Sequence, residues 1–544
     1  MFIQASQLNP TVGDLSGNLQ KVLDALQRAR KNGADIVLFS ELVLTGYPPE
    51  DLLLDDSMIE AVERSLELIA PATKGMFVAV GLPRKNQAGG EKKLFNSAAI
   101  FVDGQQIGFQ DKRLLPTYDV FDERRYFEPG SKQFIYTYRD LKIGITICED
   151  AWQHAHEVRY SDYTVDPIFD LAQEKVDVLL NLSSSPYSFA RVKTRQKVFQ
   201  AAAQALQAPV IVCNQVGAND QLVFDGYSMC FDKAGFLCKM ANGFMEEDLL
   251  VDISHLKHCI VDQMDHVKDL YCALVLGVRD YFHKQGFEKA VLGLSGGVDS
   301  ALVACIAVEA LGAVNVHALA LPSRYSAQQS YDNARHLAQN LQLDLKEISI
   351  DCLFQQYLDV LQGQFASPLR DITEQNLQAR IRGMILMAHT NQEGSLLLNT
   401  SNKSESAMGF TTIYGDLCGG LGVLLDVSKN QVYALCRYIN KEQEVIPNEI
   451  LARAPTAELR FNQTDLDVLA PYEVLDAIVE KYVEDGLSIQ EIANQLQKDE
   501  AYIEQIVGQI HKAEYKRRQA PLAIRVTKKS FSKGRNVPIV QLWK

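Results

Sequence analysis

The chain has 544 residues, 47% of them hydrophobic and 22% charged, with a formal net charge of −14 at pH 7. This length predicts two to four domains, and the negative charge argues against a nucleic acid partner, which requires a basic surface. The sequence has no apolar run of the roughly 18–20 residues that cross a membrane and no N-terminal export signal, so we expect a cytoplasmic protein without a membrane partner.

The first half of the chain is predicted to be an α/β domain with buried sheets. An apolar run over residues 1–8 is followed by an amphipathic helix pattern over 18–32. Short β-branched and apolar runs then alternate with polar or helical stretches, which is typical of layered α/β folds. These runs are IVLFSEL, MFVAVGL, NSAAIFV, LKIGITIC, VDVLLNLS, APVIVCNQV and LLVDIS.

Three residues of this half suggest nucleophilic catalysis. Glu41 follows the run IVLFS, Lys112 lies in FQDKRLLP, and Cys148 ends GITIC. A thiol attacks an amide as its thiolate, a carboxylate can accept its proton, and a lysine can stabilise both the thiolate and the oxyanion. Taken singly, each residue has an ordinary structural alternative: a strand-end acid, a surface lysine and a buried cysteine.

The flanking sequences favour the catalytic interpretation. The segments SELVLTGYPPEDLL, KRLLPTYDVFDERRYFEPG and ICEDAW resemble, in this order, the Glu-Lys-Cys motifs of the nitrilase superfamily. The resemblance covers residues 1–255 and implies a nitrilase-like α/β sandwich with Glu41 as general base, Lys112 as thiolate and oxyanion stabiliser, and Cys148 as nucleophile. It also implies a glutamine-binding set, in which Glu123 would hold Lys112 in place: Tyr118, Glu123, Ser185 and Arg191. Arg191 would clamp a carboxylate, although it could equally be a surface charge.

The second half is predicted to be an open parallel sheet with helices on both faces. A helix over 267–286 precedes the strand KAVLGL, the loop SGGVDS and the helix ALVACIAVEALG. The strand VNVHALALP, the helix AQQSYDNARHLAQNLQ and the strand LKEISI complete a βαβαβ pattern. We place the domain boundary within 255–262, so that the second domain spans 263–544 and includes a mostly helical tail.

The loop Ser295–Ser300 is interpreted as a phosphate-binding site. A Gly-Gly turn between a strand and a helix directs the backbone N–H groups of a helix N-terminus at an anion, and Asp299 could hold Mg²⁺ against the phosphates. No lysine follows the glycines, so the loop is not of the G-x-x-x-x-G-K-[ST] type. SGGVDS resembles instead the pyrophosphate loop of the N-type ATP pyrophosphatases, which form adenylates. An ordinary β-turn before a helix is the alternative.

Further segments of this half resemble the NAD synthetases over essentially all of residues 263–544. They are LPSRYSAQQSYDNARHLA, EQNLQARIRGMILM, LLLNTSNKSE, GFTTIYGDLCGG, IPNEILARAPTAELR and HKAEYKRRQAP. The resemblance implies an ATP-binding set of Gly293, Leu294, Ser295, Gly296, Gly297, Val298, Asp299, Ser300 and Thr400. It also implies contacts with deamido-NAD from Asn376, Glu405 and Lys516, and ligation of Mg²⁺ by Asp299 and Glu405.

The residues outside the loop also have structural alternatives. Asn376 could be a helix N-cap, Thr400 a strand-end hydroxyl, Glu405 a capping carboxylate and Lys516 a charge on a solvated face. The chain departs from the usual T-G-N-K-S-E motif at Ser401, which stands in the glycine position, and from P-I-x-D-L-x-K-T, where residues 422–430 read GVLLDVSKN. We expect Ser401 to alter the local backbone geometry without loss of activity.

Together the two resemblances imply a glutamine-dependent enzyme of NAD biosynthesis. Its N-terminal domain would hydrolyse L-glutamine to ammonia, and its C-terminal domain would adenylate deamido-NAD with Mg-ATP and amidate it to NAD, releasing AMP and pyrophosphate. The family also implies a homo-oligomer. The alternatives are a GMP-synthetase-like or tRNA-thiolating enzyme, an inactive regulatory protein that binds ATP or NAD, and a nitrilase-type amidase with an inert C-terminal half. The ten scattered cysteines, without a C-x-x-C pair, argue against the thiolating enzyme.

Overall fold

The computed structural model describes residues 1–157, 163–259, 264–365, 369–461, 463–465 and 469–543. The chain divides into two compact units, Met1–Met264 and Asp265–Lys544. The boundary predicted from the sequence extends into residues 260–263, which lie outside the described residues. Each unit has its own sheets and its own hydrophobic core.

The first unit is built mainly from β-strands. They are β1 (Phe2–Gln7), β2 (Ile36–Leu38), β3 (Phe77–Lys85), β4 (Leu94–Val102), β5 (Gln105–Asp111), β6 (Ile135–Tyr138), β7 (Leu141–Ile147), β8 (Val178–Ser183), β9 (Val210–Asn214), β10 (Val216–Asn219), β11 (Leu222–Asp225), β12 (Met229–Phe231), β13 (Leu237–Met240) and β14 (Glu247–Asp252). The helices are α1 (Leu15–Lys31), α2 (Asp56–Ala72), α3 (Pro167–Glu174) and α4 (Arg191–Leu206).

Two six-stranded sheets pack face to face in this unit, with strand orders β14-β1-β2-β3-β4-β5 and β13-β12-β9-β8-β7-β6. Successive residues of a strand point to opposite faces. Leu38 of β2 and Leu180 of β8 therefore lie in the core between the sheets, whereas Val37 lies in the core that includes α1 and α2, and Leu179 in the core that includes α3 and α4. Both faces are buried, which explains why these strands read as continuous apolar runs.

The second unit contains one parallel sheet and many helices. Its strands are β15 (Ala290–Gly293), β16 (Val316–Ala320), β17 (Leu345–Glu347), β18 (Leu396–Asn399), β19 (Leu421–Gly422) and β20 (Leu522–Ala523). Its helices are α5 (His266–Gln285), α6 (Val298–Leu311), α7 (Gln328–Asn340), α8 (Asp351–Leu361), α9 (Asp371–Glu393), α10 (Lys403–Met408), α11 (Lys429–Ile439), α12 (Asn448–Ala452), α13 (Tyr472–Val479), α14 (Ile489–Leu496), α15 (Glu500–Lys512) and α16 (Glu514–Arg517).

The strand order of this sheet is β17-β16-β15-β18-β19-β20, and all neighbouring strands are parallel. The order reverses between β15 and β18. In doubly wound sheets, ligands bind beyond the carboxyl ends of the strands at this reversal. The loop Ser295–Ser300 follows β15 and Thr400 follows β18, so the topology places both predicted ATP-binding segments at that position.

Helices cover both faces of the parallel sheet. α6 is almost entirely apolar because it packs against the sheet and against α5 and α11, and α8 and α9 contribute to the core on the other face. The C-terminal tail is mostly helical, with α13, α14 and α15 around a core of their own. The fold predicted for each half is confirmed. Within the described residues, no helix is long and apolar enough to span a lipid bilayer.

Candidate active sites

Cys148 lies at a tight turn directly after β7. Its backbone φ is 44°, in the left-handed region that non-glycine residues rarely adopt, and it begins a short 3-10 turn, Cys148–Ala151. The buried carboxylate of Asp150 accepts hydrogen bonds from the backbone N–H groups of Ile147, Arg113 and Leu114 at 3.0, 2.9 and 2.8 Å. Hydrogen bonds to Asp150 therefore connect the turn Cys148–Ala151 to the segment that follows Lys112.

Lys112 lies between two buried glutamates. Its Nζ atom is 2.6 Å from Oε1 of Glu41 and 2.7 Å from Oε1 of Glu123, and all three residues are at most 4% exposed. Tyr47 donates its hydroxyl hydrogen to Glu123 at 2.8 Å. Residues separated by 71 positions, Glu41 and Lys112, are thus brought together because each follows the carboxyl end of a strand.

These charges control the protonation of the thiol. Burial raises the pKa of Cys148 well above its usual value; Glu41 raises it further, while Lys112 lowers it. Burial also raises the pKa of Glu123 to about 7, against the opposing effect of Lys112. Burial alone would lower the pKa of Lys112, but Glu123 and Glu41 raise it well above its usual value. The thiol is therefore protonated at rest beside a carboxylate and a permanent cation.

Two of the residues predicted to bind glutamine, Tyr118 and Arg191, lie near an acid that the sequence interpretation missed. Tyr118 donates its hydroxyl hydrogen to the carboxylate of Glu149, 2.9 and 3.0 Å from its two oxygens. Burial raises the pKa of Glu149, while Tyr118 and Arg191 are among the groups that lower it. The Arg191 guanidinium lies 4.2 Å from the ring centre of Trp152. The signal for Glu149 was its position directly after the nucleophile, in ICEDAW.

Ser185 lies just beyond β8 and next to Ser184, which contacts Glu41. Its backbone N–H donates to Oδ1 of Asn214 at 2.9 Å. The backbone N–H of the preceding residue, Ser184, donates to Oε2 of Glu41 at 3.2 Å, and the Ser184 hydroxyl donates to the Glu41 carbonyl at 2.9 Å. Hydrogen bonds therefore connect the loop that contains Ser185 to Glu41.

A cavity of about 330 Å³ lies at the predicted ATP loop of the second unit. All eight residues of Gly293–Ser300 line it, together with Thr400 and Glu405. The cavity is also lined by the carboxyl end of β16, by α9 and by residues 453–459. Asn376 and Lys516 are not among its lining residues.

The loop geometry requires glycine. Gly296 has a φ of 80°, and a Cβ atom there would lie 1.9 Å from the Ser330 carbonyl oxygen, so a side chain cannot be accommodated. Gly297 is the N-cap of α6, and the hydroxyls of Ser295 and Ser300 are 3.0 Å apart. The first backbone N–H groups of α6 have no partners within the helix, which makes this end suited to an anion.

Lys429 lies between the two acids predicted to ligate Mg²⁺. Its Nζ atom is 2.5 Å from Oδ2 of Asp299 and 3.5 Å from Oε1 of Glu405. Asn402 donates to Oδ1 of Asp299 at 2.9 Å. Burial raises the pKa of Glu405 to about 8; Lys429 opposes this shift, and Asp299 and Asp465 add to it. One cation thus faces three acids, and the excess negative charge suits a divalent cation.

No group of three or more His, Cys, Asp or Glu side chains within the described residues forms a metal site alone. Mg²⁺ is commonly held by one or two carboxylates together with substrate phosphates. Asp299 and Glu405 at the loop therefore fit Mg²⁺ bound together with ATP. Glu405 also receives a hydrogen bond from the backbone N–H of Asn402, so the alternative of a capping carboxylate is present as well.

Asn376 and Lys516 meet at one segment that adjoins the cavity. Asn376 lies inside α9 rather than at its N-terminus, so the alternative of an N-cap is wrong; its Oδ1 accepts the hydroxyl hydrogen of Thr412 at 2.9 Å. Lys516 Nζ donates to the carbonyls of Gly409 and Thr411 at 2.7 Å. Burial lowers the pKa of Lys516, with Asp416 opposing. The alternative that Lys516 is a charge on a solvated face is therefore also wrong. Phe410 of this segment lines the cavity.

Ser401 does not need the conformational freedom of glycine. It is not among the residues with positive φ. Its backbone N–H donates to Oδ1 of Asn399 at 3.0 Å, and its hydroxyl donates to the Asp416 carbonyl at 3.3 Å. The serine is accommodated without the left-handed backbone that would favour glycine.

The sequence interpretation missed three cations of this cavity, Lys429, Arg382 and Arg453. Lys429 lies within residues 422–430, which depart from the usual motif, and it begins α11 behind a capping box at Ser428. Arg382 lies on α9 and donates from Nε to the Leu321 carbonyl at 2.9 Å. Its position in ARIRG gave no signal that distinguished it from Arg380.

The fold and the two sites define a nitrilase-type hydrolase unit joined to a synthetase unit of the ATP pyrophosphatase type. Residues 3–255 match the carbon-nitrogen hydrolase family and residues 270–520 match the NAD synthase family. A glutamine-dependent NAD(+) synthetase from Synechocystis sp. is 42% identical over 99% of this chain and 98% of that protein, and one from Thermotoga maritima is 39% identical over 100% and 99%. The chain belongs to the glutamine-dependent NAD(+) synthetases.

Solved structures agree with this assignment. A glutamine-dependent NAD+ synthetase from Acinetobacter baumannii, solved in complex with ADP, is 34% identical, with a TM-score of 0.78 over 100% of this chain and 99% of that chain. A glutamine-dependent NAD(+) synthetase from Cytophaga hutchinsonii is 22% identical, with a TM-score of 0.85 over 99% and 98%, and supports the fold. The predicted family is confirmed.

Proposed function

We propose that this chain makes NAD from deamido-NAD, ATP and L-glutamine, with residues 1–255 as the glutaminase domain and 263–544 as the synthetase domain. The buried arrangement of Lys112 between Glu41 and Glu123 beside Cys148 is the observation that carries the proposal. The same chain has a second site that is suited to ATP, so ammonia released from glutamine at the first site serves as the nitrogen donor at the second.

In the glutaminase site, Glu41 accepts the Cys148 proton and the sulfur attacks the side-chain amide carbon of glutamine. Lys112 stabilises the negative oxygen of the tetrahedral intermediate. The carbon–nitrogen bond breaks, the proton held by Glu41 passes to the leaving nitrogen, and ammonia departs. Water, deprotonated by Glu41, then cleaves the thioester to give glutamate and the free thiol. Glu149, Tyr118, Ser185 and Arg191 are proposed to hold the α-amino and α-carboxylate groups.

In the synthetase site, a carboxylate oxygen of the nicotinate ring attacks the α-phosphorus of ATP and pyrophosphate leaves. The loop Ser295–Ser300 binds the departing pyrophosphate through its N–H groups. Ammonia then attacks the acyl carbon of the adenylate, and AMP leaves with the carbon–oxygen bond electrons. Asn376, Glu405 and Lys516 are proposed to bind deamido-NAD. Asp299 and Glu405 would hold Mg²⁺, which neutralises phosphate charge when bound.

The homo-oligomeric assembly and the cytoplasmic location expected from the sequence stay predictions. The acidic net charge of −14 supports small-molecule substrates over nucleic acids as partners.

The purified protein, given deamido-NAD, Mg-ATP and either glutamine or ammonium, is expected to form NAD, AMP and pyrophosphate. Chromatographic quantification of NAD and AMP, with one AMP per NAD, measures the reaction. Replacement of deamido-NAD by xanthosine monophosphate tests the GMP-synthetase-like alternative, which our proposal expects to be inactive. Absence of NAD with both nitrogen donors would contradict the proposed function.

Replacement of Arg382 by glutamine is expected to raise the KM for ATP by about 10- to 100-fold, since a charged hydrogen bond contributes on that scale. Among the cavity cations, Lys429 is paired with Asp299, and Arg453 with Glu458 at 2.7 Å, whereas Arg382 donates to a backbone carbonyl. Burial lowers the pKa of Arg382 to about 10, with Glu458, Asp416 and Asp351 opposing. It still carries its charge at pH 7 and is suited to bind an anion.

The matched control for this prediction is Arg380→Gln on the same helix. Arg380 is not among the residues that line the cavity, and its Nε donates to the Ile413 carbonyl at 3.2 Å. Initial-rate measurements with ammonium as the nitrogen donor isolate the ATP step. An unchanged KM for ATP in Arg382→Gln would show that this guanidinium does not contact the nucleotide.

A further inference from the structure

A buried asparagine contacts both carboxylates of the glutaminase site. Asn96 lies on β4, opposite Pro83 of β3, and is 1% exposed. Its Nδ2 atom is 2.8 Å from Oε1 of Glu41 and 3.4 Å from Oε2 of Glu123. A single amide group therefore links the two acids that flank Lys112.

The backbone of the same residue positions the lysine. The Asn96 carbonyl accepts the backbone N–H of Lys112 at 2.8 Å. Lys112 directly follows β5, which pairs with β4. Asn96 is thus placed by the sheet, and it places both the chain that carries Lys112 and the carboxylates that the lysine contacts.

The orientation of the amide leaves one hydrogen bond unmade. The Oδ1 atom of Asn96 is buried and has no hydrogen-bond partner among the residues that the structure describes. An unsatisfied buried acceptor is destabilising. Rotation of the amide by 180° would turn this oxygen toward two carboxylates, which would be worse. An apolar residue of the same size would avoid the unmade bond altogether, so the N–H group must contribute something that offsets it.

The other groups around Glu41 define what that contribution is. Glu41 lies near the Lys112 ammonium, the Glu123 carboxylate, the Cys148 thiol and the Tyr47 phenol. Beyond the effect of burial, the charges of Glu123, Glu41 and Cys148 raise the pKa of Lys112 and of Tyr47, and the charges of Glu41 and Lys112 act in opposite directions on the pKa of Cys148. Two acids share one ammonium there. A neutral donor that reaches both acids favours ionised carboxylate without adding charge, and a hydrogen bond to the charged form favours that form.

We propose that Asn96 is a positioning residue of the glutaminase reaction: its side-chain N–H group joins Glu41 to Glu123 and holds the Glu41 carboxylate in place to accept the thiol proton. This inference rests on the proposed glutaminase function. Asn96 acts through Glu41 and does not itself touch the substrate. Burial, which raises the pKa of Glu123 to about 7, shows that this environment resists a second negative charge, so a donor at this position has a measurable effect near neutral pH.

Two substitutions test the proposal through opposite pH dependences. Asn96→Leu has similar size and no donor, so the acid limb of kcat/KM for glutamine hydrolysis is expected to move to higher pH by about one unit. Activity would fall about tenfold at pH values below the wild-type acid limb and approach that of the wild type on the plateau above it. Asn96→Asp can donate only when protonated, so its activity is expected to fall as the pH rises.

The matched control is Asn181→Leu. Asn181 is a fully buried asparagine of β8 whose Nδ2 donates to Thr146 at 3.0 Å and whose Oδ1 accepts the Ser183 hydroxyl hydrogen at 2.6 Å. It is expected to lower the melting temperature without moving the acid limb. Synthesis of NAD from ammonium should be the same in all variants, and circular dichroism and melting curves on each variant check folding.

The outcomes separate the inference from the function on which it rests. An acid limb that stays in place in Asn96→Leu, or a loss that is equal at every pH and matched by Asn181→Leu, would overturn the positioning role. A wild-type protein that releases no glutamate from glutamine would overturn the glutaminase function and the inference with it. Opposite pH trends in Asn96→Leu and Asn96→Asp support the proposal, since a purely structural residue would not produce them.

Discussion

Replacement of Cys148 by alanine is expected to abolish NAD synthesis from glutamine and to leave synthesis from ammonium at the wild-type rate. The sulfur is the atom that forms the thioester, and loss of a nucleophile lowers the rate by at least about 10⁴-fold. Because Tyr118, Glu149 and Arg191 remain, the variant should still bind glutamine. Parallel assays of NAD formation with each nitrogen donor measure the split.

A second buried cysteine of the same unit provides the control. Cys213 lies in the core between the two sheets and is fully buried; its thiol donates to the Ser6 carbonyl at 3.2 Å. Cys213→Ala removes a thiol of equal size whose polar and charged neighbours, Ser6, Ser228 and Asp248, are outside the proposed catalytic set, so it is expected to lower the melting temperature while retaining glutamine use. Equal loss with both nitrogen donors in folded Cys148→Ala would contradict the division of labour between the two sites.

The same charges determine the protonation state of Cys148 before it attacks glutamine. Burial and Glu41 hold the pKa of the thiol well above its usual value, so the free thiolate is scarce at neutral pH. Attack must therefore be coupled to transfer of the proton to a neighbouring base. A Cys–Lys–Glu arrangement of this kind works by proton transfer at the moment of attack, in contrast to a cysteine whose thiolate is already formed at rest.

The residues predicted as catalytic in the first half could be singled out from the sequence because each lies in a local motif; their roles stay predictions. Glu41 and Cys148 follow strands that read as apolar runs, Lys112 lies in a recognisable motif, and the order of the three motifs resembles one family. Glu149 lies in the same motif as Cys148 and was missed, whereas Asn96 could not be predicted in this way. Asn96 gains its role from pairing of β4 with its neighbours and from a contact 55 residues away along the chain, which local sequence does not encode.

The second half of the chain also contains some site residues that could be predicted from the sequence and others that could not. The glycine loop was predictable because strand, turn and helix are consecutive. Lys429 was missed because it contacts Asp299 across 130 residues, and because its segment departs from the usual motif. Taken as single residues, Asn376 and Lys516 had ordinary structural alternatives, an N-cap and a charge on a solvated face. Both alternatives fail because tertiary contacts with the segment 409–412 determine where these side chains lie.

Replacement of Lys429 by glutamine is expected to lower NAD synthesis from both glutamine and ammonium by about 10²- to 10³-fold, the scale of removing one electrostatic contact to a reacting phosphate. Lys429 contacts Asp299 of the loop and lies near Glu405. Without the ammonium, Asp299 and Glu405 repel each other and the phosphates. Hydrolysis of glutamine to glutamate should continue. Lys429→Gln is therefore expected to keep glutamine hydrolysis and lose NAD synthesis, whereas Cys148→Ala is expected to lose glutamine use and keep NAD synthesis from ammonium.

Exchange of labelled pyrophosphate into ATP, in the presence of deamido-NAD and the absence of a nitrogen donor, measures the adenylation step alone. We expect this exchange to fall in Lys429→Gln by the same factor as NAD synthesis from ammonium. A fall in NAD synthesis with exchange unchanged would assign Lys429 to the later attack by ammonia and would contradict a role at the phosphates.

Loss of stability is the competing explanation, because removing one partner of a buried ion pair leaves an uncompensated charge and costs about 3–5 kcal/mol. Lys403 offers a matched test, since its ammonium is equally buried and lies 2.7 Å from Glu484 and 3.0 Å from Asp426, outside the residues that line the cavity. Lys403→Gln and Lys429→Gln should both melt at lower temperature. If both were equally inactive while folded, as judged by circular dichroism at the assay temperature, the loss at Lys429 would reflect packing. If only Lys429→Gln loses adenylation, the ammonium between Asp299 and Glu405 acts on the phosphates.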